Sequence, residues 1–184
     1  MLDAAAKRAE ADRFLRRYAH DVRTDSGHPA LRGCDEVDWS AIPGCPPEMP
    51  VLLHGLLDPA IAPEAARVLT NVLMDGIFRL GAAMPAVLPF VLRLAVADPR
   101  VPAVSCLVDI VVVTAGLSEP VDADNENAVR LRGCDSDHPE RERCRAVFAE
   151  HAALLAGLPD ELLTDADRAS LRQAAGLGEP QGSR

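Results

Sequence analysis

Between Met49 and Val113 the chain alternates apolar runs with proline-marked breaks in a pattern that occurs twice. The first run, Met49 to Leu57, ends on Asp58-Pro59, and the next opens at Pro63. The second begins near Val87 and ends on Asp98-Pro99, and its successor opens at Pro102. The two Asp-Pro pairs lie 40 residues apart. Apolar stretches punctuated this way predict two consecutive helix–turn–helix units over residues 48–117.

The second helix of the first unit is expected from Pro63 to Leu80. Pro63 suits the first helical position, and Glu64 suits the positive end of the helix dipole. Ala65, Val68, Leu69, Val72, Leu73, Gly76 and Leu80 share one face at 3.6-residue spacing. Arg67, Asn71, Asp75 and Arg79 follow one another at intervals of four and form a polar row on the other side. The row is either a solvated face or a recognition surface, with Met74 and Phe78 beside it as large apolar groups. The following helix carries Pro85 and Pro89, so it is expected to start late or to kink. From Pro102 to Val113 the chain is apolar on nearly every side, which predicts the most buried helix. Asp109 lies within it as a buried acid, and a structural pair with Arg67, Arg79 or Arg93 is the expected compensation.

Outside these units, residues 1–23 predict an N-terminal helix with Phe14, Leu15, Tyr18 and Val22 on one stripe, its charges in solvent and its apolar side capping the first unit. Residues 24–47 read as a loop with one short turn at 38–42, anchored by Trp39. Residues 118–138 form an acidic insertion, functional or mobile. Residues 139–176 predict two C-terminal helices, the second capped by Thr164. The whole of 1–178 is then one helical domain, with 179–184 a disordered tail.

Composition narrows the class. Of the 184 residues 48% are apolar but 3% aromatic, so the core is built from Leu, Val and Ala, which favours helix packing. A net charge of −9 disfavours a nucleic-acid partner and favours a basic one. Charges near the N-terminus argue against a secretory leader, and Asp109 interrupts the longest apolar run, so a soluble cytoplasmic protein without a membrane span is expected.

Candidate chemistry is sparse. Familiar nucleophile, phosphate-loop, dinucleotide and zinc-protease motifs are missing, so no catalytic residue and no cofactor is assigned. The alternation of Asp122, Asp124 and Glu126 resembles a calcium loop but lacks its glycine and final glutamate. His54 reads as a surface or groove residue. Leu31 to Asp35 recurs as Leu131 to Asp135, and each copy is followed by a further cysteine. Cys34, Cys45, Cys134 and Cys144, with His138, could supply a tetrahedral zinc site or two disulfides. Their spacing fits no zinc knuckle, so no metal is assigned and ordinary thiols are the simpler reading. Cys106 is expected in the core.

The segments Leu52–Leu69 and Leu88–Leu107 resemble HEAT-type repeats, with a proline in or before the first helix, an Asp-Pro turn and a period within the range of that family. Residues 71–95 also resemble a group of bacterial HEAT-like proteins, and residues 146–175 a degraded third repeat. The resemblance implies an all-α fold, a short α-solenoid of two to three helical hairpins with capping helices. It further implies a non-catalytic protein-binding module, and a compact, acidic binder of this size suits an immunity or antitoxin role against a basic partner. The surface expected to bind is Arg67, Asn71, Met74, Asp75, Phe78 and Arg79. The competing expectation is an enzyme or small-molecule binder with a pocket between repeats around Asp109 and the polar row.

Overall fold

The structure of the protein, a computed structural model, describes residues 4–18, 20–22, 27–97 and 101–178. The predicted Asp98-Pro99 turn, the 179–184 tail and parts of the N-terminal segment lie outside the described residues. The described residues are mostly helical. They form α1 (Ala4–Tyr18), α2 (Met49–Gly55), α3 (Ala62–Leu73), α4 (Met84–Ala97) and α5 (Val104–Ser118), then α6 (Glu126–Arg132), α7 (Pro139–Glu150), α8 (Ala152–Leu155) and α9 (Asp165–Ala174). Among these residues no helix is long and apolar enough to cross a membrane.

The first unit turns where its Asp-Pro pair predicts. The Asp58 carboxylate accepts from the Ala60 amide at 2.8 Å, and its carbonyl accepts from Ile61 and Ala62, so the residue both ends α2 and opens α3. Pro63 and Glu64 lie in the first turn of α3, and Ala65, Val68, Leu69, Val72 and Leu73 are buried.

The expected helix to Leu80 is corrected. α3 stops at Leu73, and Met74 leaves it with extended backbone angles. The chain then forms a small antiparallel hairpin of β1 (Met74–Gly76) and β2 (Arg79–Leu80), with Ile77 and Phe78 at its tip. Asp75 and Gly76 are both poor helix formers, and glycine inside a helix costs about 1 kcal/mol relative to alanine. Gly81 closes the hairpin by donating its amide to the Leu73 carbonyl at 2.7 Å. A Cβ at Gly81 would meet that carbonyl oxygen at 3.0 Å, so the close return favours glycine.

α4 does not start late: it begins at Met84, with Pro85 in the first turn, and continues with Pro89 inside it. α5 packs against α4, α7 and α9, and α1 packs on α3. α5, apolar on nearly every side in the sequence, nonetheless keeps one strip open. Leu107, Val108, Ile110, Val111, Thr114 and Ala115 are buried, but Ser105, Asp109 and Val113, four residues apart, are exposed.

The 24–47 segment is tighter than a loop, with short 3₁₀ turns at Pro29–Leu31, Cys34–Glu36 and Trp39–Ala41. Trp39 is buried against Phe90 and donates its indole N–H to the Cys34 carbonyl at 2.8 Å. The 118–138 insertion contains a helix. Asp122 and Asn125, read as part of an acidic run, accept from the amides of Asp124 and Ala128 and so start α6. Arg132, at its end, donates one nitrogen to the carbonyls of Gly116, Leu117 and Glu119, capping the negative end of α5. Arg145 donates to the Ser118 carbonyl beside them. In the C-terminal region Thr164 makes the predicted cap, completed reciprocally by Asp167.

Candidate functional site

The polar row does not lie on one helix, because α3 ends before Asp75. Its first three members face α1. Arg67 donates to both Glu10 carboxylate oxygens at 3.1 and 3.2 Å and also grips Glu64 at 2.9 Å. Asn71 donates to Glu10 at 2.6 Å, and Asp75 pairs with Lys7. Lys7 and Glu10 therefore occupy the row, and Lys7 is buried rather than in solvent as expected. Burial pushes the Glu10 carboxyl up, but the hydrogen bonds from Asn71 and Arg67 outweigh it and hold the group below its ordinary value. Arg79 stands exposed on β2, on the open side of the hairpin.

Met74 and Phe78 lie on that open side too, in a groove that the hairpin forms with α3 and α6. Its cavity of about 620 Å³ is lined by Thr70, Met74, Ile77, Phe78, Arg79 and Leu131, among others. Ile77 is 84% exposed and Leu131 54%, and Phe78 and Val113 are also exposed. Through Thr70 and Met74 the groove adjoins a second recess of about 280 Å³, against α5, lined in part by Met84, Cys106, Asp109 and Val113. Cys106 is half-buried there, and burial pushes its thiol up.

Asp109 is thus exposed at the edge of an apolar recess, which corrects its expected burial. None of the three arginines considered for it is its partner among the described residues. Arg67 is held by Glu10 and Glu64, Arg79 is on the hairpin, and Arg93 lies over the Phe90 ring, donating to the carbonyls of Pro89 and Arg32.

All five cysteines are free thiols. Burial pushes Cys45 and Cys144 up to about 12. Cys34, Cys45, Cys134 and Cys144 are not gathered into one ligand set. What the fold gathers instead is Cys34, Asp35 and His54, whose ligand atoms all lie within 4.8 Å of one another. The Cys34 Sγ is 3.9 Å from the His54 Nε2. Cys34 is 1% exposed and His54 5%, so His54 is not a surface residue; it lines a buried recess. Gly33, with φ +84°, starts the 3₁₀ turn that presents Cys34 and Asp35, and α2 presents His54. A cavity of about 210 Å³, lined by His28, Arg32, Gly33, Asp35 and His54 among others, opens beside them.

The cluster is not legible in the sequence, because 20 residues separate Cys34 from His54 and the duplicated pentapeptide pairs Cys34 with Cys134 instead. The two copies differ in structure. In the second, Cys134 is half-buried, Asp135 accepts from Arg141 at 2.8 Å, and His138 turns to Glu140 at 3.0 Å. A usable sequence signal was the lone histidine in an otherwise apolar helix. No protein-family model, curated protein or solved structure matches the chain.

Proposed function

We propose that this protein is a non-catalytic protein-binding module built on a HEAT-like repeat plan, and that it takes a basic protein partner. The observation that carries the reading is the hairpin tip. Ile77 projects almost fully into solvent beside Phe78 and Leu131, above a groove of about 620 Å³. Large apolar groups exposed together at a concave surface favour association, since burying each would gain about 1.5–3 kcal/mol.

The net charge of −9 favours a basic partner. The solenoid reading draws support from the successive pairs α2 with α3 and α4 with α5, each packed together, and from α1 lying over α3 as a cap. The binding surface shifts, relative to the expected polar row, toward Met74, Ile77, Phe78, Arg79 and Leu131. A cytoplasmic setting belongs to the same proposal and suits a chain whose five cysteines are free thiols.

A second reading, a small-molecule binder, is favoured by Asp109 and Cys106 at the adjoining recess of about 280 Å³. One experiment separates the two. The tagged chain is purified from cells that naturally contain it, alongside Phe78→Asp and Asp109→Asn, and its companions are identified by mass spectrometry. A stoichiometric basic protein lost with Phe78→Asp and kept with Asp109→Asn is expected. A retained metabolite lost with Asp109→Asn would overturn the partner reading.

A further inference from the structure

We propose that Cys34, Asp35 and His54 form a zinc site, with water from the adjacent cavity as the fourth ligand. The three residues supply three different donor atoms, all mutually within 4.8 Å. With Zn–S near 2.3 Å and Zn–N near 2.0–2.1 Å, tetrahedral geometry places a thiolate and an imidazole roughly 3.6 Å apart. The observed Sγ–Nε2 distance of 3.9 Å closes to that value by a small side-chain rotation.

The donor set selects the ion. Magnesium and calcium prefer oxygen ligands throughout, whereas a thiolate with an imidazole suits zinc. One thiolate, one carboxylate and a neutral imidazole also balance the charge of Zn²⁺, so the filled site as a whole carries no net charge, with the Asp35 carboxylate completing the balance from the solvent side. The scaffold around Cys34 is fixed: Trp39 holds its carbonyl at 2.8 Å, and the Gly33 turn sets its direction. Cys34 and His54 are buried while Asp35 is exposed, so two ligands are held in place and the third closes over the ion from the solvent side. The cavity of about 210 Å³ beside Asp35 and His54 gives water and the ion their route in. Three protein ligands with an open fourth position make an exchangeable site rather than a sealed structural one.

The test uses the full chain, stripped with a chelator and titrated with Zn²⁺ and, separately, with Co²⁺ as a spectroscopic substitute. One equivalent of zinc is expected, and cobalt should give tetrahedral visible bands with a thiolate-to-metal charge-transfer band. Cys34→Ser should abolish the charge-transfer band. Asp35→Asn, a near-isosteric change at an exposed position, should keep the band and weaken zinc binding at least about tenfold. Cys134→Ser should leave both unchanged. Zinc binding at unchanged affinity in Asp35→Asn, or a charge-transfer band that disappears with Cys134→Ser instead of Cys34→Ser, overturns the proposal. So does the absence of any cobalt band in the folded wild-type chain.

Discussion

Arg141 carries more of the C-terminal region than its place in a charged run suggests. Its side chain is 2% exposed and donates to the carbonyls of Arg132 and Gly133 and to the Asp135 carboxylate. Arg141→Met would leave those acceptors without their donor. We expect a loss of about 3 kcal/mol in urea unfolding, at the lower end for a broken buried pair because Asp135 is partly exposed. Burial pushes the Asp135 carboxyl up, but Arg141 and the Val121 amide outweigh it and hold the group below its ordinary value of 3.8. A depressed carboxyl adds stability above the unfolded value and loses it as pH falls through the folded one. The stability gap between wild type and Arg141→Met should therefore narrow as pH falls below about 3.8 and through the folded value, leaving the part owed to the two carbonyls, whereas a gap that persists unchanged would show that the ion pair contributes nothing.

Two elements owe their placement to contacts that span many residues. α1 docks on α3 through buried Ala11 and Phe14 and through the Glu10 bonds to Arg67 and Asn71. Glu10 also has a depressed carboxyl, so its contribution is present above the ordinary value of 4.5 and fades as pH falls through the folded value. Hydrogen exchange of the α1 amides should accelerate on acidification in the wild type. In Glu10→Gln it should be faster already at neutral pH and less pH-dependent, by an amount fitting an interaction of about 0.2–1 kcal/mol. The hairpin depends on Gly81, where a Cβ would press on the Leu73 carbonyl. Gly81→Ala should cost about 1–3 kcal/mol in chemical denaturation, as overpacking against rigid backbone does. A neutral result would mean that the hairpin shifts freely and is not held as described.

Among the described residues a continuous Leu/Val/Ala core is joined by an apolar surface at the hairpin tip, outside that core. Ile77→Asp should change stability by less than about 0.5 kcal/mol, because the side chain packs little in the folded chain. If the groove receives a partner, the same substitution should weaken its capture by at least about tenfold, measured by titration calorimetry once the partner is purified. The helical class, the turn at Asp58, the Thr164 cap and the anchoring of Trp39 were legible in the sequence, since each depends on neighbouring residues and on local periodicity or side-chain chemistry. The end of α3, the exposed face of α5 and the helix inside the 118–138 segment were not. Periodicity continues through Asp75 and Gly76 as though the helix did, and an apolar helix reads the same whether or not another element covers it. The cluster of Cys34, Asp35 and His54 lay further out of reach, because it forms only when a 3₁₀ turn packs beside α2. Local spacing thus determined which segments coil and where several of them turn. Only the packing of distant segments decided which faces stay open and which donor atoms meet, because both depend on separations in space that a linear order does not contain.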